Sequence, residues 1–157
     1  TVNCVHAVGG TSYTLALDNA YQELQANGRQ GTQKVIVFLS DGAANIGPTY
    51  YSTTSPYRTK PCHQGVSSAA VIKSKGTLIY SIGYDLNANN GGANVCTSYT
   101  GADESPAITA YSAIQQIASS PAAFFNKPSA GQLKTIFTDI AADLQRGTSA
   151  LIDESVQ

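Results

Sequence analysis

The sequence predicts an α/β fold in which a doubly wound, mainly parallel sheet carries helices on both faces. Two short segments, the continuous apolar run at 35–39 and the mainly apolar segment at 77–83, indicate strands buried on both faces of a sheet. Amphipathic segments with helical spacing lie before, between and after these runs. Strands that alternate with helices in this order favour a parallel sheet covered on both sides.

The first half of the chain contains one predicted helix, one predicted strand and a long loop. Apolar residues repeat at helical spacing over 12–26, and Gly28 can end the helix that they predict. The strand V-I-V-F-L at 35–39 gives way to a Ser-Asp-Gly turn at 40–42. The segment 43–61 is rich in Tyr, Thr, Ser and Pro and lacks periodicity, and its length marks it as a candidate ligand surface.

The second half continues the alternation of helix and strand. A second helix is expected at 63–75, followed by the strand T-L-I-Y-S-I-G at 77–83 and a polar, glycine-rich loop at 85–101. A third helix is expected at 106–119, and the apolar residues at 123–125 predict a short strand or an apolar turn.

The last helix has the clearest signal. Ser129 and Gln132 form a capping box, and apolar residues then repeat at intervals of three and four as far as Leu144. We expect this helix to end before Gly147.

The composition of the chain indicates which kinds of partner it can bind and which cellular compartment it suits. The chain has 157 residues, one domain's worth, and its 9 basic and 10 acidic side chains argue against a nucleic-acid surface. Charged residues make up 12% of the chain, about half the usual share, and we therefore expect an exported surface domain. No window approaches the roughly 18 apolar residues of a membrane span. The absence of Met leads us to expect a mature product or a piece of a longer protein.

Two loops bring oxygen ligands to one edge of the predicted sheet. Asp41 directly follows the strand at 35–39, and Thr11 follows two glycines at the start of the first helix. In doubly wound sheets, ligands bind beyond the carboxyl ends of the strands. A carboxylate and a hydroxyl on adjacent loops fit part of the shell of Mg²⁺, which keeps several waters. Taken singly, an Asp-Gly turn and a Thr at a helix start are also ordinary structural features.

The residues around these two positions resemble motifs of the von Willebrand factor A domain. The segments G-G-T-S-Y-T-L-A-L at 9–17 and V-I-V-F-L-S-D-G-A-A-N at 35–45 are similar to the second and third motifs of its metal site. The segments T-L-I-Y-S-I-G-Y-D at 77–85 and F-T-D-I-A-A-D-L at 137–144 look like the C-terminal half of that family. The resemblance therefore covers nearly the whole chain.

This resemblance implies a Rossmann-like fold with a metal-ion-dependent adhesion site at the top of the sheet. Thr11 matches the metal-site threonine of the family, and Asp41 matches its metal-site aspartate. The implied cofactor is a divalent cation, Mg²⁺ first and Mn²⁺ or Ca²⁺ as alternatives, and the implied partner is a protein or matrix ligand that supplies a carboxylate. The chain is most similar to bacterial surface A domains of the Tad pilus-assembly kind.

One part of the family's pattern is missing. The first motif, D-x-S-x-S, does not occur upstream of Thr11, so we expect residues 1–157 to be a single A-type domain that lacks the N-terminal part. In the family, the strand with that motif lies beside the strand matched here at 35–39. We therefore expect an upstream segment, another chain or a second copy to pair with the exposed edge of that strand.

The three cysteines allow three single disulfides, and each of these leaves one cysteine over. We expect a bridge between Cys62 and Cys96, because both flank loops at the ligand edge of the sheet and export favours oxidation. Cys4 is then free, or its partner lies outside this chain.

Two further metal patterns are weaker. The cysteines together with His6 and His63 do not match the spacings of zinc fingers. The segment that begins at Asp85 resembles the start of a calcium loop, but Cys96 stands where the bidentate Glu belongs. A disulfide and a flexible polar loop are the favoured interpretations.

The sequence as a whole favours an extracellular, metal-dependent binding module and not an enzyme. It contains no G-x-S-x-G, H-E-x-x-H, P-loop or dinucleotide motif. Tyr50, Tyr51 and Tyr57 either bind a ligand by stacking or cover the edge of the sheet. Two other functions stay open: a structural pilus or surface-assembly component with an incidental metal, and a hydrolase that uses Asp41 as metal ligand or nucleophile.

Overall fold

The computed structural model describes residues 10–47, 60–84, 86, 95–98, 101–126 and 130–153. These residues form helices and parallel strands in alternation. Their order is α1 (Tyr13–Asn27), β1 (Val35–Ser40), α2 (Pro61–Ser74), β2 (Leu78–Gly83), α3 (Ala110–Ile117), a 3₁₀ turn (Pro121–Ala123), β3 (Phe124–Asn126) and α4 (Ala130–Asp153).

The strands and the first two helices lie within one or two residues of their predicted bounds. Helix α3 is shorter than predicted and begins at Ala110, because the Thr109 side chain caps it by accepting from the Ser112 amide. The residues before it are extended, since the Cys96 amide donates to the Ile108 carbonyl at 2.9 Å. Hydrogen bonding of this segment to another strand-like segment therefore delays the start of the helix.

Helix α4 is longer than predicted. It continues through Gly147 to Asp153, so the expectation that it ends before Gly147 is wrong. A glycine inside a helix costs about 1 kcal/mol relative to alanine and does not by itself end the helix. Ser129, the predicted cap, lies outside the described residues. Among the helices that are described, none is both long and apolar enough to cross a membrane.

The sheet confirms the predicted fold class. In the part of the chain that the structure describes, three parallel strands run in the order β1-β2-β3. The register pairs Val35 with Leu78 at one end of β1 and Ser40 with Gly83 at the other. Crossover connections through α2 and α3 join these strands, as in other doubly wound sheets.

One face of the sheet is closed by α1, α2 and α3. Ile36 and Phe38 of β1 and Ile79 of β2 point to this face and are at most 7% exposed. They pack with buried residues of the three helices, including Leu17 of α1 and Ile114 of α3, in one apolar cluster. This cluster is the main core of the domain.

The opposite face is only half covered. Helix α4 packs Ile136 and Ile140 against Ile82 of β2. Over β1, however, Val37 is 39% exposed and Leu39 is 51% exposed. The prediction that the strand at 35–39 is buried on both faces is therefore wrong, because α4 lies over β2 and β3 and no other described element covers this face of β1.

The outer edge of β1 is also open. The Lys34 carbonyl accepts from the Leu78 amide at 3.0 Å, and the Ser40 carbonyl accepts from the Tyr84 amide at 2.9 Å. Because alternate residues of a strand direct their peptide groups to opposite sides, those of Val35, Val37 and Leu39 point away from β2. No described strand pairs with them. An unpaired strand with exposed apolar side chains is a surface that another strand can extend.

Candidate functional site

The loop before α1 and the loop after β1 are hydrogen-bonded to each other at the carboxyl end of β1. The Thr11 amide donates to Asn45 Oδ1 at 2.7 Å. The Thr11 carbonyl accepts in return from the amides of Asn45 at 2.9 Å and Ile46 at 3.1 Å. These three bonds, which we call the loop clamp, hold the Thr11 backbone against the loop that begins at Asp41. The structure thus places the two predicted ligand residues on adjoining loops.

Gly10 permits this close approach. A Cβ atom at Gly10 would lie 2.6 Å from Ile46 Cγ2 and 2.8 Å from Asn45 Oδ1. Both separations are shorter than ordinary contacts between non-bonded heavy atoms. Any larger residue here would displace the side chains of Ile46 and Asn45, which gives a reason for one of the two glycines in the G-G-T motif.

Tyr13 of helix α1 supports the loop that begins at Asp41. The Tyr13 hydroxyl donates to the Gly42 carbonyl, and its ring packs edge-on against Phe38 of β1, with ring centres 5.3 Å apart. Burial raises the pKa of the Tyr13 phenol, and the nearby charges of Asp41 and Glu104 raise it further. The hydroxyl therefore stays protonated and remains a hydrogen-bond donor at neutral pH.

Ser12 and not Thr11 is the N-cap of α1. Its Oγ accepts from the Leu15 amide at 3.3 Å. The alternative interpretation of Thr11 as a helix cap is therefore wrong, and capping does not occupy its hydroxyl. Both Thr11 and Asp41 are exposed at the edge of the sheet.

The donor atoms at this edge suit a hard cation but supply only part of its shell. Thr11 offers a hydroxyl and Asp41 a carboxylate, and oxygen atoms of this kind are the usual ligands of Mg²⁺. Within the described ranges, Asp41 belongs to no cluster of three or more His, Cys, Asp or Glu ligands. The site therefore fits a cation that keeps several waters or takes further ligands from a partner.

The predicted disulfide is present. Cys62 and Cys96 are bonded, with Cα atoms 6.1 Å apart, and both are fully buried. Cys62 Sγ also lies 3.8 Å from the Ala44 carbonyl oxygen in the loop that follows Asp41. The bridge therefore joins the start of α2 to the segment at 95–98 and contacts the Asp41 loop, as expected of a link between ligand-side loops.

Glu104 is the residue at this edge that the sequence did not reveal. It is 2% exposed, and its carboxylate accepts from the amides of Cys62 at 2.7 Å and His63 at 3.2 Å. It also lies 2.5 Å from His63 Nδ1, and its own amide donates to the Cys96 carbonyl at 3.0 Å. The carboxylate caps the N-terminus of α2 from 42 positions away in the sequence, so no local capping rule identifies it.

Several predicted site residues lie outside the described part of the chain. These are Tyr50, Tyr51 and Tyr57 of the tyrosine-rich loop, Cys4, and the start of the candidate calcium loop at Asp85. Their roles remain predictions.

No protein-family model matches the chain, and no curated protein matches it. The fold is nevertheless similar to part of the pilus adhesin SpaC from Lactobacillus rhamnosus GG. One crystal structure of SpaC matches with a TM-score of 0.61 at 16% identity over 87% of this chain. Its open conformation matches with a TM-score of 0.58 at 15% identity over 87% of this chain. In both cases the match covers 19% of the SpaC chain, so this chain spans about a fifth of that adhesin. At these identities, the likeness shows the fold.

Proposed function

We propose that this chain is a binding module of a pilus-associated or other cell-surface protein, with a divalent-cation site at Thr11 and Asp41. The observation that carries the proposal is the loop clamp, which holds the Thr11 backbone against the loop that begins at Asp41. The likeness of the fold to part of a pilus adhesin and the buried disulfide support an extracellular setting.

In this proposal, the chain's own residues position a cation and leave room for a ligand. The Asp41 carboxylate and the Thr11 hydroxyl hold the cation, Mg²⁺ before Mn²⁺ or Ca²⁺. Asn45 and Tyr13 fix the two loops on which these ligands lie. A bound cation supplies a positive charge to which a carboxylate of a protein or matrix partner can bind. This activity is binding, and the proposal includes no catalytic step.

The open edge of β1 belongs to the same proposal. A strand that paired in parallel with Val35–Ser40 would end beside Asp41, because β1 itself ends there. Such a strand, from an upstream segment or another chain, would cover the exposed peptide groups and would bring its following residues to the cation site. The A-domain resemblance assigns this place to a strand that carries further oxygen ligands.

The test compares Asp41→Asn and Thr11→Val with the matched control Asp103→Asn, which changes an exposed carboxylate elsewhere. Mn²⁺ is the probe, and the EPR signal of the free ion measures how much is bound. We expect each site variant to lower the Mn²⁺ affinity by about tenfold or more, equivalent to about 1.4 kcal/mol or more, and the control to leave it unchanged. Mn²⁺ binding that is equal in Asp41→Asn and the parent chain would refute the cation site.

A structural role in pilus or surface assembly is a second candidate, favoured by the exposed Val37 and Leu39. In that role, subunit contacts at β1 are the function, and a metal is incidental. Removal of divalent cations with EDTA separates the two functions. A metal-dependent binding module loses its partner after chelation, whereas an assembly surface built on strand pairing retains it.

A further inference from the structure

A second group of metal-ligating side chains lies buried behind the cation site. One ligand atom each of Cys62, Cys96 and Glu104 lies within 4.8 Å of the other two. All three residues are at most 2% exposed. Among the described residues, this is the only cluster of three or more His, Cys, Asp or Glu side chains with that proximity.

His63 lies beside this cluster but is not a member of it, because its ring nitrogens are not within 4.8 Å of all three ligand atoms. Its Nδ1 atom lies 2.5 Å from Glu104 Oε2, and its side chain is 29% exposed while that of Glu104 is fully buried. The partly exposed imidazole therefore contacts the buried Glu104 carboxylate on one side and solvent on the other.

The chemistry of the three donors points to zinc. Thiolates and carboxylates are ordinary zinc ligands, and a zinc ion held by three protein ligands takes water in the fourth position of its tetrahedron. Two sulfurs bound to one zinc ion lie about 3.8 Å apart, given Zn–S distances of about 2.3 Å. The Cα atoms of Cys62 and Cys96 are 6.1 Å apart, which is compatible with that separation.

Electrostatics favours a cation in this cluster once the disulfide is broken. Two thiolates and the Glu104 carboxylate would place three negative charges in a buried volume, at a cost that a divalent ion offsets. The N-terminus of α2, whose amides at Cys62 and His63 already point at Glu104, stabilises negative charge at the same position.

We propose that the reduced form of this chain binds Zn²⁺ at Cys62, Cys96 and Glu104, so that the disulfide and the zinc ion are alternative occupants of one position. Reduction by a phosphine breaks the Sγ–Sγ bond and gives two thiols, while water supplies two protons and the oxygen of the phosphine oxide. Zinc binding then displaces a proton from each thiol. This site is distinct from the hard-cation site at Thr11 and Asp41 and does not depend on it.

The experiment uses the full chain with Cys4→Ser, so that the bridge cysteines are its only thiols. The protein is reduced with a phosphine and titrated with Co²⁺, which reports thiolate ligation by a near-ultraviolet charge-transfer band and tetrahedral geometry by strong visible bands. We expect both sets of bands in the reduced protein, with displacement of Co²⁺ by Zn²⁺, and neither set in the oxidised protein. Cys62→Ser should abolish tetrahedral binding, and Glu104→Gln should weaken it by about tenfold or more.

If the reduced chain is unfolded without metal, measurements of its Tm still test the proposal. Zinc binding to the folded state must then restore folding or raise the Tm of the reduced chain, and it must leave the Tm of the oxidised chain unchanged. Three results would each overturn the proposal: absence of thiolate bands from the reduced chain, retention of those bands in Cys62→Ser, or a Tm of the reduced chain that zinc does not change.

Discussion

Gly10→Ala tests whether the loop clamp holds the candidate cation site together. The added Cβ would lie 2.6 Å from Ile46 Cγ2, whereas carbon atoms normally approach to about 3.6 Å, so the Ile46 side chain or its loop must move by about 1 Å. The second close atom, Asn45 Oδ1 at 2.8 Å, cannot move away without lengthening its hydrogen bond to the Thr11 amide.

The expected cost follows from these two contacts. Overpacking of this kind costs about 1–3 kcal/mol, and loss of the hydrogen bond adds about 1 kcal/mol. We therefore expect Gly10→Ala to lower the free energy of unfolding by about 2–4 kcal/mol. If the cation site is formed as proposed, Mn²⁺ affinity falls as well, because Thr11 moves away from the Asp41 loop.

Gly42→Ala is the matched control, since it adds the same methyl group to the other loop. A Cβ at Gly42 meets no heavy atom within 4 Å, so we expect a change of less than about 0.5 kcal/mol. Urea unfolding followed by far-ultraviolet circular dichroism measures both variants. Equal unfolding midpoints for the two variants would refute the argument that Gly10 is required by contact with the other loop.

A double-mutant cycle measures how much of the destabilisation by Gly10→Ala comes from the contact with Asn45 Oδ1. Asn45→Ala removes the Oδ1 atom that the new methyl group would meet and also removes its bond to Thr11. The combination Gly10→Ala/Asn45→Ala should therefore cost about 1 kcal/mol less than the sum of the single variants. Strict additivity would show that only Ile46 resists the added methyl group.

Three further predictions concern the support of the site and the open strand. Tyr13→Phe keeps the ring contact but removes the hydrogen bond to the Asp41 loop, and it should cost about 1 kcal/mol in urea unfolding. Glu104→Gln loses a charge-assisted cap of α2 and should lower stability by about 2 kcal/mol in the oxidised chain, whereas Asp103→Asn should not. Leu39→Thr should reduce self-association measured by light scattering at little cost in stability, whereas Phe38→Ala on the buried face should cost about 3–5 kcal/mol.

Each of these predictions has a result that contradicts it. An unchanged urea midpoint for Tyr13→Phe would show that its hydroxyl does not support the loop. Equal losses in Glu104→Gln and Asp103→Asn would remove the special role of the buried carboxylate. Unchanged self-association of Leu39→Thr would show that the exposed face of β1 is not the associating surface.

Sequence patterns predicted those parts of the fold that depend on local spacing. The apolar runs placed β1 and β2, because a buried strand needs a short continuous apolar segment. A rule of sheet topology predicted that Cys62 and Cys96 lie at one edge of the sheet, since loops that follow parallel strands meet there. Thr11 and Asp41 were brought together by that rule and by the A-domain resemblance, and the loop clamp is consistent with both.

The errors arise where distant parts of the chain decide the outcome. Continuous apolar residues at 35–39 indicate a strand but do not show whether a helix covers both faces, and α4 leaves Leu39 exposed. Glu104 caps α2 through the fold and not through sequence spacing. Gly147 suggested a helix end because glycine is a weak helix former, but its cost of about 1 kcal/mol is small beside the stabilisation that an amphipathic helix gains from packing.

The open edge of β1 and the candidate cation site are coupled by their position in the fold. Ser40 is the last residue of β1 and Asp41 is the next, so a strand that pairs with this edge also adds atoms next to the proposed ligand. If those atoms bind the cation, strand pairing increases cation affinity, and by thermodynamic linkage the cation increases the affinity for the strand by the same factor. The partial ligand set at Thr11 and Asp41 and the exposed apolar surface of Val37 and Leu39 would then have one cause. In that case, the next strand of the sheet would supply backbone partners and metal ligands together.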